Sequence, residues 1–154
     1  MSGTPYISVV GSGRASGELY ALAREVGRLV ARRGGVVVCG GLGGVMEAAA
    51  RGATESGGVA IGLLPDEDRG RENPYLSYAL PTGMGQARNL AVVCSGDAVI
   101  AVGGEYGTLS EIGLARKVGR PVVVLRGWEL GPHVAVAATP EEAVERAFGM
   151  IGAL

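Results

Sequence analysis

Six short, continuously apolar runs punctuate the chain: Ile7–Val10, Val36–Cys39, Val59–Leu64, Ala98–Val102, Val122–Leu125 and Val134–Ala137. They are rich in β-branched residues and do not alternate with polar ones, which is how strands covered on both faces read. Between them, apolar residues return at helical spacing. Leu19, Leu22, Val26, Leu29 and Val30 share one face of a predicted first helix, and the stem of Arg33 extends the stripe. Val144, Ala147, Phe148 and Ile151 do the same near the end. That last helix has a defined start: Thr139 as N-cap, Pro140 in the first position and Glu142 placed to close a capping box. Strands alternating with helices predict an α/β, Rossmann-like three-layer fold, a mostly parallel sheet with helices on both faces. The polar segment 65–75 (PDEDRGRENPY) is the one long irregular stretch and reads as a surface loop, a candidate lid. With no linker or repeat in view, residues 1–154 read as a single domain.

Composition narrows the chemistry. Lys+Arg is 14 against Asp+Glu 15, a net charge of −1, so nothing argues for nucleic acid as a partner. No apolar run approaches the roughly 20 residues of a membrane span, and no charged leader followed by an apolar stretch opens the chain; a cytoplasmic location without membrane partners is expected. Cys39 and Cys94 form no CxxC, and His133 is the single histidine, so no disulfide framework, metal site or cofactor is expected. Lys117 is the only lysine, which leaves no Walker-type phosphate loop. Both cysteines read as small buried hydrophobes, His133 as a strand-edge residue and Trp128 as a core residue.

Glycine is abundant, 28 of 154 residues against a usual ~7%, and it gathers where apolar runs end. Gly11-Ser12-Gly13-Arg14 follows the first run, Gly40-Gly41-Leu42-Gly43-Gly44 the second, and Gly103-Gly104-Glu105-Tyr106-Gly107-Thr108 the fourth. With strand order 3-2-1-4-5-6, the first and fourth strands flank the point where the order reverses, and ligands of such sheets bind there. Glycine lets a ligand approach backbone N–H groups, and a helix beginning beyond it offers an anion seat. Tight turns also need glycine for their own sake; three on one rim point to a phosphate or nucleotide site. The dinucleotide fingerprint fails, because the first turn spaces as Gly11-x-Gly13-x-x-x-Gly17 and no acidic residue ends the second strand.

The segments Gly103–Glu111 (GGEYGTLSE) and Gly83–Asn89 (GMGQARN) resemble the Lonely Guy (LOG), or lysine-decarboxylase-like, family of nucleoside 5′-monophosphate phosphoribohydrolases, and more closely its molybdenum-cofactor-carrier-like branch. The resemblance runs from the first strand through Pro121–Leu125. It implies that Gly104, Gly107 and Thr108 hold phosphate, that Arg88 and Glu111 are the catalytic pair, and that Ser12, Gly40, Gly41 and Met84 line the pocket; Glu105, in the same turn, reads as a further pocket residue or a plain turn residue. It also implies a homodimer or higher homo-oligomer, for which the helices at Val45–Ala53 and Ala87–Cys94 offer apolar or small faces. Three residues depart from the LOG pattern: Gly103 replaces its proline, Glu105 its second glycine, and Asn89 a lysine. A carboxylate at 105 repels phosphate unless it turns away or pairs with Arg14 or Arg88.

Each residue also has a plain alternative. Thr108-x-x-Glu111 has capping-box spacing, and Arg88 reads equally as a solvated helix arginine. Two functions therefore stand. One is hydrolysis of the N-glycosidic bond of purine (cytokinin-type) nucleoside 5′-monophosphates to base and ribose 5-phosphate, with Glu111 supporting the oxocarbenium-like centre and Arg88 positioning the substrate. The other is non-catalytic carriage of a phosphorylated small molecule such as molybdenum cofactor. The intact Arg88 and Glu111 tip the sequence slightly toward the enzyme.

Overall fold

A computed structural model describes residues 3–152. Among them, seven strands form one sheet: β1 (Tyr6–Gly11), β2 (Val36–Cys39), β3 (Val59–Leu64), β4 (Tyr78–Pro81), β5 (Ala98–Val102), β6 (Val122–Leu125) and β7 (Ala135–Ala137). Their order is β4-β3-β2-β1-β5-β6-β7, and every neighbouring pair is parallel. Five α-helices connect them: α1 (Gly17–Arg32), α2 (Val45–Glu55), α3 (Arg88–Ser95), α4 (Tyr106–Lys117) and α5 (Pro140–Met150). The α/β, Rossmann-like reading holds, and so does the expected reversal between the first strand and Ala98–Val102, now β1 and β5.

Side chains of the central strands alternate between two apolar cores. Ile7, Val9, Ile100 and Val102 point toward α1, α2 and α5. Val10, Val38, Val99, Ala101 and Val124 point toward α3 and α4. Ser8 sits among the latter, fully buried, and its hydroxyl donates to the Val92 carbonyl of α3 at 2.6 Å, which removes the cost of burying it. Continuously apolar strands thus follow from helices on both faces.

The structure adds β4, which the sequence pattern did not predict. It is an edge strand with Tyr78 62% and Leu80 50% exposed, and it ends in proline, so it lacks the signature of a doubly covered strand. β7 begins at Ala135 rather than Val134. Segment 65–75 is irregular, as expected, and Asn73 anchors it: its backbone N–H donates to the Gly41 carbonyl and its side-chain amide to the Leu42 carbonyl, both at 2.9 Å.

Helices α1 and α2 cross in close contact. A Cβ at Gly27 would lie 2.0 Å from the Ala49 carbonyl oxygen, and one at Gly52 only 1.8 Å from that of Arg24. The small residues of α2, Ala48–Ala50 and Ala53, are therefore buried within the chain rather than left on a free face. At the start of α5, Thr139 Oγ1 accepts from the Glu142 N–H at 3.1 Å, while the Glu142 carboxylate accepts from Ala138 N–H, one residue before the expected donor. No helix among the described residues is long and apolar enough to cross a membrane.

Candidate functional site

After β4 the chain crosses the sheet through α3 and resumes on the far side of β1, which makes the β1–β5 boundary the switch point. A cleft of about 200 Å³ opens there, lined by Gly11, Ser12, Gly13, Met46, Arg88, Asn89, Glu105, Gly107, Thr108 and Glu111. The loop after β1 forms one wall, the first turns of α4 the other, and α3 contributes Arg88 and Asn89.

The start of α4 faces the cleft. Glu105 is its N-cap residue, in extended conformation, and no side chain caps the helix. The first-turn N–H groups are thus free of side-chain partners and favour a negative charge. Thr108 is consequently the third helical residue and not the cap, so the capping box that its spacing to Glu111 suggests is not formed. The Thr108 hydroxyl is buried without a hydrogen-bond partner, an unusual state for a polar atom.

Glu111, freed from capping, is half-buried beside the cleft. Burial pushes its carboxyl up to about 7, against the opposing pull of the Arg88 charge. Arg88 is 8% exposed. Its Nε donates to the Leu63 carbonyl at 2.8 Å and Nη2 to the Gly40 carbonyl at 3.2 Å, and Nη1 donates to Asn89 Oδ1. Burial lowers its pKa while the charges of Glu111, Cys39 and Asp66 oppose the shift; a guanidinium remains cationic regardless. Arg88 is thus no solvated surface arginine.

Glu105 meets neither arginine. Its carboxylate accepts from the Ser12 hydroxyl at 2.7 Å, and that same hydroxyl accepts from the Arg14 N–H at 3.0 Å. The contact ties the two glycine turns together across the cleft.

Ser12, Arg88, Glu105, Gly107, Thr108 and Glu111 of the sequence-predicted set share the cleft. The other four lie outside its lining. Gly40 sits beneath Arg88, where a Cβ would come 2.8 Å from Nη2. Gly41 packs on Leu64 and Gly62. Met84 is 46% exposed and does not line the cleft. Gly104 lines a separate hollow with Arg126, Gly127, Trp128 and Glu129. Gly11, Gly13, Met46 and Asn89 join the lining without having been predicted. Gly13 belongs to a turn already singled out, whereas Met46 carries only the apolar signal of a core residue.

Cys39 is buried as expected, its thiol pushed up to about 11 by burial. Cys94, in contrast, is exposed, because it falls on the outer face of α3. His133 lies in an exposed turn before β7 rather than on a strand. Trp128 is half-buried, and its indole N–H donates to the Glu105 carbonyl at 3.2 Å.

Comparison with known proteins agrees with this architecture. The model of the SLOG cluster4 family matches residues 4–149. An uncharacterized protein of Archaeoglobus fulgidus is 45% identical over 138 residues, covering 90% of this chain and 91% of that one. Among solved structures, the molybdenum cofactor binding protein from the phototrophic bacterium Rippkaea orientalis superposes with a TM-score of 0.92 at 36% identity, covering 98% of this chain and 99% of its own. The molybdenum cofactor carrier protein of Chlamydomonas reinhardtii gives 0.88 at 30% identity, with 98% and 99% covered.

Proposed function

The chain belongs to the SLOG cluster4 family, and from that membership and the cleft together we propose that it binds and carries a phosphorylated small molecule of the molybdenum-cofactor kind. The observation that carries this reading is the start of α4. Its N–H groups lack a side-chain cap, and the Thr108 hydroxyl in the same turn is buried and unpartnered. A phosphate seated there satisfies both. In this reading Gly107 and Thr108 hold the phosphate, Ser12 and Glu105 fix the facing turn, and Arg88 supplies positive potential from below.

The relatives favour carriage over hydrolysis, and Arg88 is held as a fixed charge. Three of its five N–H donors are held by two backbone carbonyls and Asn89, which leaves one N–H on each terminal nitrogen and fixes the guanidinium in place. Two relatives similar over nearly their whole length are described as binding or carrying molybdenum cofactor, which supports the same choice. A phosphoribohydrolase remains the second reading, favoured by Glu111: a carboxyl near 7 is poised to act as a general base at neutral pH. The homodimer is part of the proposal, and light scattering on the purified protein reads it.

The test is binding and turnover side by side. Titration calorimetry with molybdenum cofactor released from a molybdoenzyme is expected to show saturable binding, and incubation with AMP to release no adenine. Adenine release that disappears in Glu111→Gln would establish the hydrolase instead. Absence of both binding and release overturns both readings.

A further inference from the structure

The cleft is small. Its roughly 200 Å³ falls below the ~300 Å³ at which pockets for organic ligands begin, so a ligand seated by its phosphate must extend beyond it. On the other side of the Gly103–Gly107 turn lies the hollow of about 510 Å³ formed by Gly104, Arg126, Gly127, Trp128 and Glu129. Beside it stands Tyr106, 83% exposed, the first residue of α4 and the most exposed large apolar side chain described. Its ring lies 5.9 Å from that of Trp128 at 38°. The indole of Trp128 is in turn held by its hydrogen bond to the Glu105 carbonyl. A Cβ at Gly104 would come 3.2 Å from the Trp128 ring. Arg126, at the rim, is the only non-glycine residue described with positive φ, at 58°, and such conformations gather at ligand sites.

We propose that Tyr106 and Trp128 form the platform on which the planar ring system of that ligand stacks. Aromatic faces recognise such rings by stacking, whatever their exact substituents. Two aromatics fixed against each other lose little freedom when a third ring is added. Tyr106 directly precedes Gly107 and Thr108 at the start of α4, so the platform adjoins the proposed phosphate seat along the chain. The inference rests on the phosphate seat proposed above and deepens it.

Trp128 is the only tryptophan, so its fluorescence reports this position alone. The experiment titrates the intact protein with ribose 5-phosphate, AMP and neopterin monophosphate, following fluorescence and heat. At least one ring-bearing ligand is expected to quench Trp128 and to bind more tightly than ribose 5-phosphate; the tighter of the two assigns the ring as purine or pterin. Tyr106→Ala, at a site too exposed to affect folding, is expected to weaken that ligand about fivefold or more. It leaves ribose 5-phosphate unchanged, and Tyr106→Phe restores the affinity. Equal affinities for ribose 5-phosphate and both ring ligands, without quenching, would overturn the platform while leaving the phosphate seat standing. Equal loss of all three ligands in Tyr106→Ala would overturn it as well. Failure of every phosphate ligand to bind would bring down the seat and the platform with it.

Discussion

Replacing Glu111 by glutamine tests the electrostatics of the cleft without changing its shape. The carboxyl is raised from 4.5 to about 7, burial being the main cause. Below pH 4.5 it is protonated in the folded and unfolded chain alike. As pH rises toward 7 the unfolded chain releases this proton first, so folding stability contributed by the neutral group is progressively lost. Above 7 both states are ionised and the full cost is present. At ~1.36 kcal/mol per pKa unit the shift sets an upper bound of about 3 kcal/mol, or roughly 6–12 °C in melting temperature for a chain of this size. Glutamine, always neutral, escapes this loss. Glu111→Gln is therefore expected to differ little from the parent at pH 4.5 and to exceed it by up to about 3 kcal/mol at pH 8.5. Urea unfolding at the two pH values, with equal m-values, reads the difference. A stability difference independent of pH refutes the assignment of a carboxylate whose burial outweighs the pull of Arg88.

Thr108→Val removes the unpartnered hydroxyl at nearly constant shape. Stability is expected to rise by about 1 kcal/mol while phosphate-ligand affinity falls about tenfold, measured by urea unfolding and calorimetry. Glu105→Gln withdraws a negative charge from the mouth of α4 and is expected to tighten ribose 5-phosphate binding severalfold, more strongly at low salt. Gly52→Ala drives a methyl into the Arg24 carbonyl at 1.8 Å and is expected to cost more than about 3 kcal/mol, seen as a lower urea midpoint; a neutral result would mean that α1 and α2 separate easily.

What the sequence reveals follows from how many neighbours decide a residue's place. β1, β5 and β6 are covered on both faces, so their apolar runs are written locally. β4 is covered less, and Tyr78 and Leu80 leave no such run. The glycine turns after β1 and β5 are legible because strand order alone brings them together. The Ser12–Glu105 hydrogen bond joins residues 93 apart and depends on loop geometry that no spacing encodes. Gly104 and Gly107 look equivalent in sequence, yet the chain turns into α4 between them, leaving one in the outer hollow and the other in the cleft. Thr108 and Glu111 have capping-box spacing, but the helix begins two residues before Thr108, and that shift frees both for the site.

The arrangement of charge bears directly on the choice between carriage and hydrolysis. Glu105 and Glu111 put two carboxyls at the cleft, and Arg88, the one cation that lines it, has three of its five donors engaged with carbonyls and Asn89. In the proposed seat a phosphate is held chiefly by neutral groups, the N–H donors of α4 and the Thr108 hydroxyl. Bonds from neutral donors are weaker than charge-assisted ones by roughly half, and a carboxyl near 7 adds repulsion as it ionises. Such a seat binds without locking, and its grip loosens as Glu111 loses its proton. Hydrolysis of an N-glycosidic bond calls for a carboxylate that stabilises the positive charge developing at the sugar, whereas a protein that must hand its ligand on calls for a hold that can be released. The carriage we propose draws on this loose, pH-dependent hold, and binding that weakens as pH rises through 7 is its expected signature.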